Sequence, residues 1–264
     1  MKIILFTIAI SFAVAFALGF LLGLFKKIFA VYVDPKVQQV RDCLSGANCG
    51  GCGYPGCDGL AAAIVAGKAP ANGCPGLGKE GAAKIGKIMG VEVTVQKKVA
   101  VLACQGTKDC AAGRGHYTGI KSCRSAVMTV NGTKMCSFGC SGLGDCVQAC
   151  KHDALSMGSD GLPKVNKEKC VGCGKCAQVC PKKLFVLYPA DLGKPVALCA
   201  NRSDNKPSIR KNCTSGCFKC GKCVRECPVQ AIKMVNEIPV IDYELCTNCG
   251  TCVAGCVDKV FQVI

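Results

Sequence analysis

Two stretches of this chain, Cys136 to Cys180 and Cys217 to Cys256, carry the same succession of closely spaced cysteines. Aligning Cys146 with Cys223, Cys170 with Cys246 and Cys180 with Cys256 gives offsets of 77, 76 and 76 residues, so one cysteine-studded unit occurs twice. A broad apolar core is a poor fit to such a chain, which has no tryptophan, 6% aromatic residues, 32 glycines and 26 cysteines in 264 residues. Small modules packed around inorganic centres suit it better, and binding of those centres then supplies much of the folding free energy. A disulfide scaffold would explain the cysteine content, but it belongs to small secreted domains and predicts no regular three-residue spacing. Structural zinc uses pairs of C-x2-C and has no use for a third cysteine at the same interval.

Cys170, Cys173, Cys176 and Cys180, followed by Pro181, form a C-x2-C-x2-C-x3-C-P run that resembles the ligand arms of bacterial ferredoxins. Cysteines three apart on a tight loop reach three corners of one iron–sulfur cube, and in ferredoxins the fourth ligates the partner cube. The resemblance therefore implies four sets: Cys136, Cys140, Cys146 with Cys180; Cys170, Cys173, Cys176 with Cys150; Cys217, Cys220, Cys223 with Cys256; and Cys246, Cys249, Cys252 with Cys227. Three arms have the standard spacing. The first, Cys136-x3-Cys140-x5-Cys146-x3-Cys150, is stretched over a loop containing Gly139, Gly142 and Gly144, and Lys151 and Val257 stand where proline would follow.

The net charge of +16 would ordinarily suggest nucleic acid or an anionic membrane surface. A thiolate-ligated cube carries roughly −2 when oxidised, so five cubes bring the total to about +6 and six to about +4. Much of the lysine excess then compensates cluster charge. No basic patch interleaved with aromatic residues is visible, so nucleic-acid binding is not expected. Thiolate clusters need a reducing compartment, which points to the cytoplasm.

Ile3 to Phe25 is an uncharged run of 23 residues, long enough to span a bilayer as a helix and too long for the apolar region of a cleaved signal. Lys26, Lys27, Lys36 and Arg41 outweigh Lys2, so the body of the protein is expected on the cytoplasmic side of a single-pass anchor in the cytoplasmic membrane. Ser11, Ala15, Gly19 and Gly23 recur every four residues and form a small-residue stripe suited to packing on a membrane partner.

Beyond Asp34-Pro35, the segment GANCGGCGYPGC opens a second type of four-cysteine set, Cys49, Cys52, Cys57 and Cys74. Gly50, Gly51, Gly53 and Gly56 let its backbone turn tightly, and Asp58 to Lys68 reads as a helix. Anchor, GANCGGCGYPGC module and tandem ferredoxin-type units together resemble the B subunit of the Rnf complex, in the longer form with two such units. The resemblance spans essentially the whole chain. It implies an α+β fold with a single N-terminal transmembrane helix (1–27), a four-cysteine [4Fe-4S] domain (28–90), a small α/β connecting region (91–135), ferredoxin-type unit 1 (136–190), a connector (191–212) and unit 2 (213–264). It also implies reduced ferredoxin as electron donor and other components of the complex as acceptors, with NAD reduction and ion translocation carried out elsewhere in the complex.

Val91 to Val95 and Lys98 to Ala103 read as two short strands. Five [4Fe-4S] clusters use twenty cysteines; Cys104, Cys123, Cys199 and Cys213 are candidates for a sixth, with Cys110 as a substitute for one of them and buried free thiols as the alternative. Cys43 reads as an ordinary small residue, and His116 and His152 as surface histidines, with a hydrogen bond to a cluster the alternative for His152. Gly142-Leu-Gly144 lies in a cysteine loop without the frame of a dinucleotide site, and no nucleophile–base pair appears, so neither flavin nor nucleotide is expected on this chain. The expected function is stepwise electron transfer from ferredoxin, entering at the C-terminal units and leaving at Cys49 to Cys74. The alternatives are an Rnf-like complex that keeps a redox-sensing transcription factor reduced, and a stand-alone membrane-tethered polyferredoxin.

Overall fold

The computed structural model describes residues 2–29 and 34–264. The apolar run forms helix α1 (Lys2–Ile28), with Lys26 and Lys27 in its last turn. Its large apolar side chains from Ile3 to Ile28 are all 44% or more exposed, so they are left largely uncovered by the described residues. The 26-residue span Ile3–Ile28 is long and apolar enough to cross a membrane. Gly19 and Gly23 have open space around them.

Three helices build the next body: α2 (Pro35–Cys43), α3 (Cys57–Val65) and α4 (Lys79–Met89). Asp34 caps α2 by accepting from the Lys36 amide at 2.8 Å, with Pro35 in the first turn. Helix α3 is shorter than the expected Asp58–Lys68 because the chain turns back at its end, where the Gly67 and Lys68 amides bond Ile64 and Ala63 carbonyls. Val40 and Leu44, Leu60 and Ile64, and Ala82 and Ile85 bring the apolar faces of the three helices into one core, which also takes in Cys57 and Cys74. Val91 to Val95 is not a strand. Gly90 ends α4 in the left-handed conformation, the Val91 amide folds back onto Gly86, and the chain meets no pairing edge before Lys98.

The first ferredoxin-type unit contains β1 (Lys98–Leu102), α5 (Cys123–Val130), α6 (Asp145–Gln148), β2 (Leu155–Met157), β3 (Pro163–Val165), α7 (Lys175–Val179) and β4 (Phe185–Pro189). The second contains β5 (Pro195–Ala197), α8 (Lys206–Asn212), α9 (Lys222–Arg225), β6 (Ile232–Val235), β7 (Ile238–Ile241), α10 (Thr251–Ala254) and β8 (Phe261–Val263). Each unit closes its first strand antiparallel on its last: Leu102 faces Phe185, and Ala197 faces Phe261. Each also has a central antiparallel pair, with Leu155 facing Val165 and Ile232 facing Ile241. β1, in the expected connecting region, and β5, in the expected connector, thus each add a strand to the units expected at 136–190 and 213–264. The polar segment Ser203–Lys211 is largely α8, capped by the Asn205 side chain on the Ser208 amide at 3.0 Å.

One glycine recurs. Gly144, Gly174, Gly221 and Gly250 each precede the short helix of a cysteine arm with φ between +70° and +86°, a conformation that lets the loop reverse into the helix without Cβ strain. The apolar cores are small and shared with thiols: Val99, Ala100, Leu155 and Phe185 pack with Cys146, Cys170 and Cys176, while Ile232, Ile241, Val260 and Phe261 pack among the thiols of unit 2. Cys104 of the first unit pairs with Cys199 of the second in an isolated antiparallel bridge. Each lies two residues past the end of its unit's first strand, so equivalent residues meet and a local twofold relates the units.

Candidate iron–sulfur sites

Three small cavities each carry four cysteines. The first is lined by Cys150, Cys170, Cys173 and Cys176 with Ala100, Leu155 and Val165. The second is lined by Cys123, Cys140, Cys146 and Cys180 between Leu102, Leu184 and Phe185. The third lies between the two units and is lined by Cys104, Cys136, Cys199 and Cys213. Their near-equal size and common thiol count mark them as one kind of site.

The first cavity groups the cysteines as the ferredoxin spacing implies. The other two do not. Cys136, expected with Cys140, Cys146 and Cys180, faces Cys104, Cys199 and Cys213 instead; Cys123, expected with those three, closes the set of the stretched arm. The reason is visible in the 77-residue offset, which aligns Cys136 with Cys213, Cys140 with Cys217 and Leu143 with Cys220. The first arm thus has Leu143 where unit 2 has Cys220. Between Cys104 and Cys136 lie 31 residues, against 13 between Cys199 and Cys213, and the extra length carries α5 with Cys123 at its first position. Asp145 holds that helix start, accepting from the Cys123 amide at 2.8 Å, the Arg124 amide at 3.1 Å and the Ser122 hydroxyl at 3.0 Å. Cys110 stays out of the third cavity's lining and is occupied locally, its sulfur 3.2 Å from the Thr107 amide.

In unit 2, Cys217, Cys223, Cys227, Cys246, Cys252 and Cys256 pack around its core, while Cys220 and Cys249 are exposed. In the helical body, Cys57 and Cys74 are buried, Cys52 is half-buried against the same core, and the Ser45 hydroxyl lies 3.9 Å from the Cys74 sulfur. Cys49 of this set lies at the edge of the body, facing Cys173 and His152. His152, expected at the surface, is partly exposed, but its Nε2 is sealed from solvent.

Burial pushes the Cys140, Cys146, Cys176 and Cys213 thiols up to about 12, with neighbouring thiolates adding to the effect. Thiols held that high are not thiolates at neutral pH without a cation beside them, so loading with metal releases protons. The groups are spread too widely for one ion. Zinc–sulfur bonds of about 2.3 Å hold tetrahedral thiolates about 3.8 Å apart. Among the described residues, the only three potential ligands lying within 4.8 Å of one another are Cys49, His152 and Cys173. A polynuclear centre fits these thiol sets.

Amide donors surround the sulfurs and repeat between units. Leu184 and Val260 donate to Cys180 and Cys256 at 3.5 and 3.3 Å, and Cys140 and Cys217 donate to Cys104 and Cys199 at 3.4 and 3.3 Å. Such donors favour the more negative, reduced state of a cluster. Two lysines are also buried: Lys134 donates to the Gly106 carbonyl, and Lys219 to the Asn201 and Glu237 carbonyls. Lys134 lines the third cavity and Lys219 lies beside Cys217, which places cations among the thiols.

The sets follow one another without a gap. Cys49 of the helical body lies within 4.8 Å of Cys173; Cys146 and Cys176 share one core; the Cys140 amide donates to the Cys104 sulfur and the Cys217 amide to the Cys199 sulfur; and Cys223 and Cys252 pack on the core of unit 2. Each pair joins one cysteine set to the next.

Residues 44–75 match the family model described as a putative Fe-S cluster, and residues 135–184 and 216–260 each match the 4Fe-4S dicluster domain. The chain is 46% identical over 231 residues to the B subunit of the Na(+)-translocating ferredoxin:NAD(+) oxidoreductase complex of Acetobacterium woodii, covering 87% of this chain and 69% of that one. It is 40% identical to the B subunit of the ion-translocating oxidoreductase complex of Methanosarcina acetivorans, covering 90% and 89%. It is also 35% identical to the B subunit of the proton-translocating ferredoxin:NAD(+) oxidoreductase complex of Clostridium ljungdahlii, covering 87% and 82%. At these identities and coverages, the chain belongs to the B-subunit family of ion-translocating (Rnf) oxidoreductase complexes.

Proposed function

We propose that this protein is the membrane-anchored iron–sulfur electron-transfer subunit of an ion-translocating ferredoxin:NAD oxidoreductase complex, taking electrons from reduced ferredoxin and passing them to other subunits. The observation that carries this reading is the succession of neighbouring cysteine sets from Cys49 to Cys252. Five sets hold [4Fe-4S] clusters: Cys49, Cys52, Cys57, Cys74; Cys150, Cys170, Cys173, Cys176; Cys123, Cys140, Cys146, Cys180; Cys217, Cys220, Cys223, Cys256; and Cys227, Cys246, Cys249, Cys252. The interunit set Cys104, Cys136, Cys199, Cys213 holds a sixth, supported by a cavity of the same size as its neighbours.

The clusters supply one-electron redox chemistry when bound. The chain's own residues set their spacing, exclude water with Leu184, Phe185, Val260 and Phe261, and offset their charge with Lys134 and Lys219. Entry is at unit 2, where Cys220 and Cys249 are exposed to an approaching carrier, and exit is at the helical body next to α1 in the sequence. Helix α1 anchors the chain with its body on the cytoplasmic side, and its small-residue stripe packs on a membrane-embedded component of the complex. The excess of lysine and arginine steers an acidic ferredoxin.

Iron and acid-labile sulfide per chain, measured on anaerobically purified protein with EPR before and after addition of reduced ferredoxin, test this reading. About 24 iron atoms reducible by ferredoxin are expected, and about 20 would remove the interunit cluster. Zinc in place of iron would sink the electron-transfer function.

A further inference from the structure

Where the helical body meets the first ferredoxin-type unit, its glycine loop lies directly on the loop carrying Cys173. A Cβ at Gly51 would stand 2.6 Å from the Cys173 carbonyl oxygen, and one at Gly76 3.5 Å from the Val171 side chain. His152 sits at this contact. One of its ring nitrogens and the sulfurs of Cys49 and Cys173 all lie within 4.8 Å of one another. Its Nε2 is sealed from solvent and makes no hydrogen bond to any protein group. Buried polar atoms are normally partnered, so this one calls for an acceptor. The repeat provides an internal comparison: the residue equivalent to His152, 77 positions on, is Val229, which has no polar group to satisfy and is 36% exposed.

We propose that His152 is a positioning residue that donates a hydrogen bond across this junction to the thiolate sulfur of Cys49 or Cys173, tying the helical body's cysteine set to that of unit 1. This rests on both sets holding iron–sulfur clusters, as proposed above. Thiolate-ligated clusters are anionic, so two ligand sulfurs brought this close repel each other. An N–H between them offsets the repulsion and favours the reduced state of the cluster it serves. Two cysteines and a histidine would also suit a single zinc ion, but Cys49 and Cys173 would then be withdrawn from their own sets.

The test uses full-length protein purified anaerobically in detergent as wild type, His152→Phe and His152→Gln. Midpoint potentials come from EPR-monitored redox titration, alongside iron and zinc content. Loss of the donor in H152F is expected to make one of the two junction clusters about tenfold harder to reduce, which is 59 mV for one electron. Iron content and the potentials of unit 2 stay unchanged, and H152Q, which keeps an N–H donor, recovers most of the shift. Unchanged midpoints in H152F overturn the proposal, as does one zinc per chain that H152F releases. Should phenylalanine block cluster loading, His152→Leu is titrated instead, and wild-type potentials there overturn the proposal equally. Wild-type protein without iron in these two sets overturns the iron–sulfur reading itself rather than the role of His152.

Discussion

Leu143 stands where the second unit has Cys220, and Cys123 makes good the loss from 17 residues upstream of Cys140. Iron analysis separates this grouping from the one the spacing alone suggests. Cys123→Ser and Cys140→Ser are each expected to lose about four irons, and the double variant no more than either alone, because both sulfurs serve one cube. A double variant losing about eight would return Cys123 to the interunit set. Asp145 fixes the start of α5, and its pKa follows from that duty. Burial acts to raise it, but the Cys123 and Arg124 amides and the Ser122 hydroxyl outweigh burial and hold the carboxyl below the usual range. A folded pKa lowered in this way contributes stability that is present above the unfolded value, about 3.9, and is lost as pH falls through the folded one. Asp145→Asn is therefore expected to lower the thermal midpoint at pH 7 by a few degrees, on the order of 1–2 kcal/mol. Near and below the ordinary carboxylate range the two proteins should converge. Equal midpoints at pH 7 would remove Asp145 from that role.

At the scale of elements, the cysteine arms were legible because ligand spacing is a local property, as was α1, whose apolar run needs no partner to be recognised. The strands were not. Lys98–Leu102 and Pro195–Ala197 owe their existence to edges supplied about 90 and 65 residues later by β4 and β8. Val91 to Val95 has the better β-pattern but meets no edge, and is not a strand. The displaced Cys136 was legible in principle through its 77-residue offset from Cys213, whereas the recruitment of Cys123 is a property of space alone. Close contact between elements brings its own prediction. Gly51→Ala would drive a methyl group into the Cys173 backbone, with an overpacking cost of about 1–3 kcal/mol. A lowered thermal midpoint with iron retained is expected in anaerobic melts; an unchanged midpoint would mean that the two bodies do not rest on each other.

For the whole molecule, removing residues 1–33 is expected to send the protein to the soluble fraction with its iron content unchanged, since no described side chain from Ile3 to Ile28 is covered by the rest of the chain. Fractionation with iron analysis checks this, and membrane retention would relocate the anchor. Reduction by an acidic ferredoxin is expected to slow several-fold between about 50 and 300 mM salt, as screening weakens steering; stopped-flow mixing reads this directly, and a salt-independent rate would argue against electrostatic capture. The pairing of Cys104 with Cys199 has a further consequence. Because equivalent residues meet there, the cysteine sets of the tandem read the same from either end: outer, inner, shared, inner, outer. Such a conductor is a palindrome, with no preferred sense of travel in its basic plan. Polarity must come from what breaks the symmetry, and the structure shows three such additions: the helical body resting on the first unit, the exposed Cys220 and Cys249 of the second, and the inserted α5 with its single borrowed thiol.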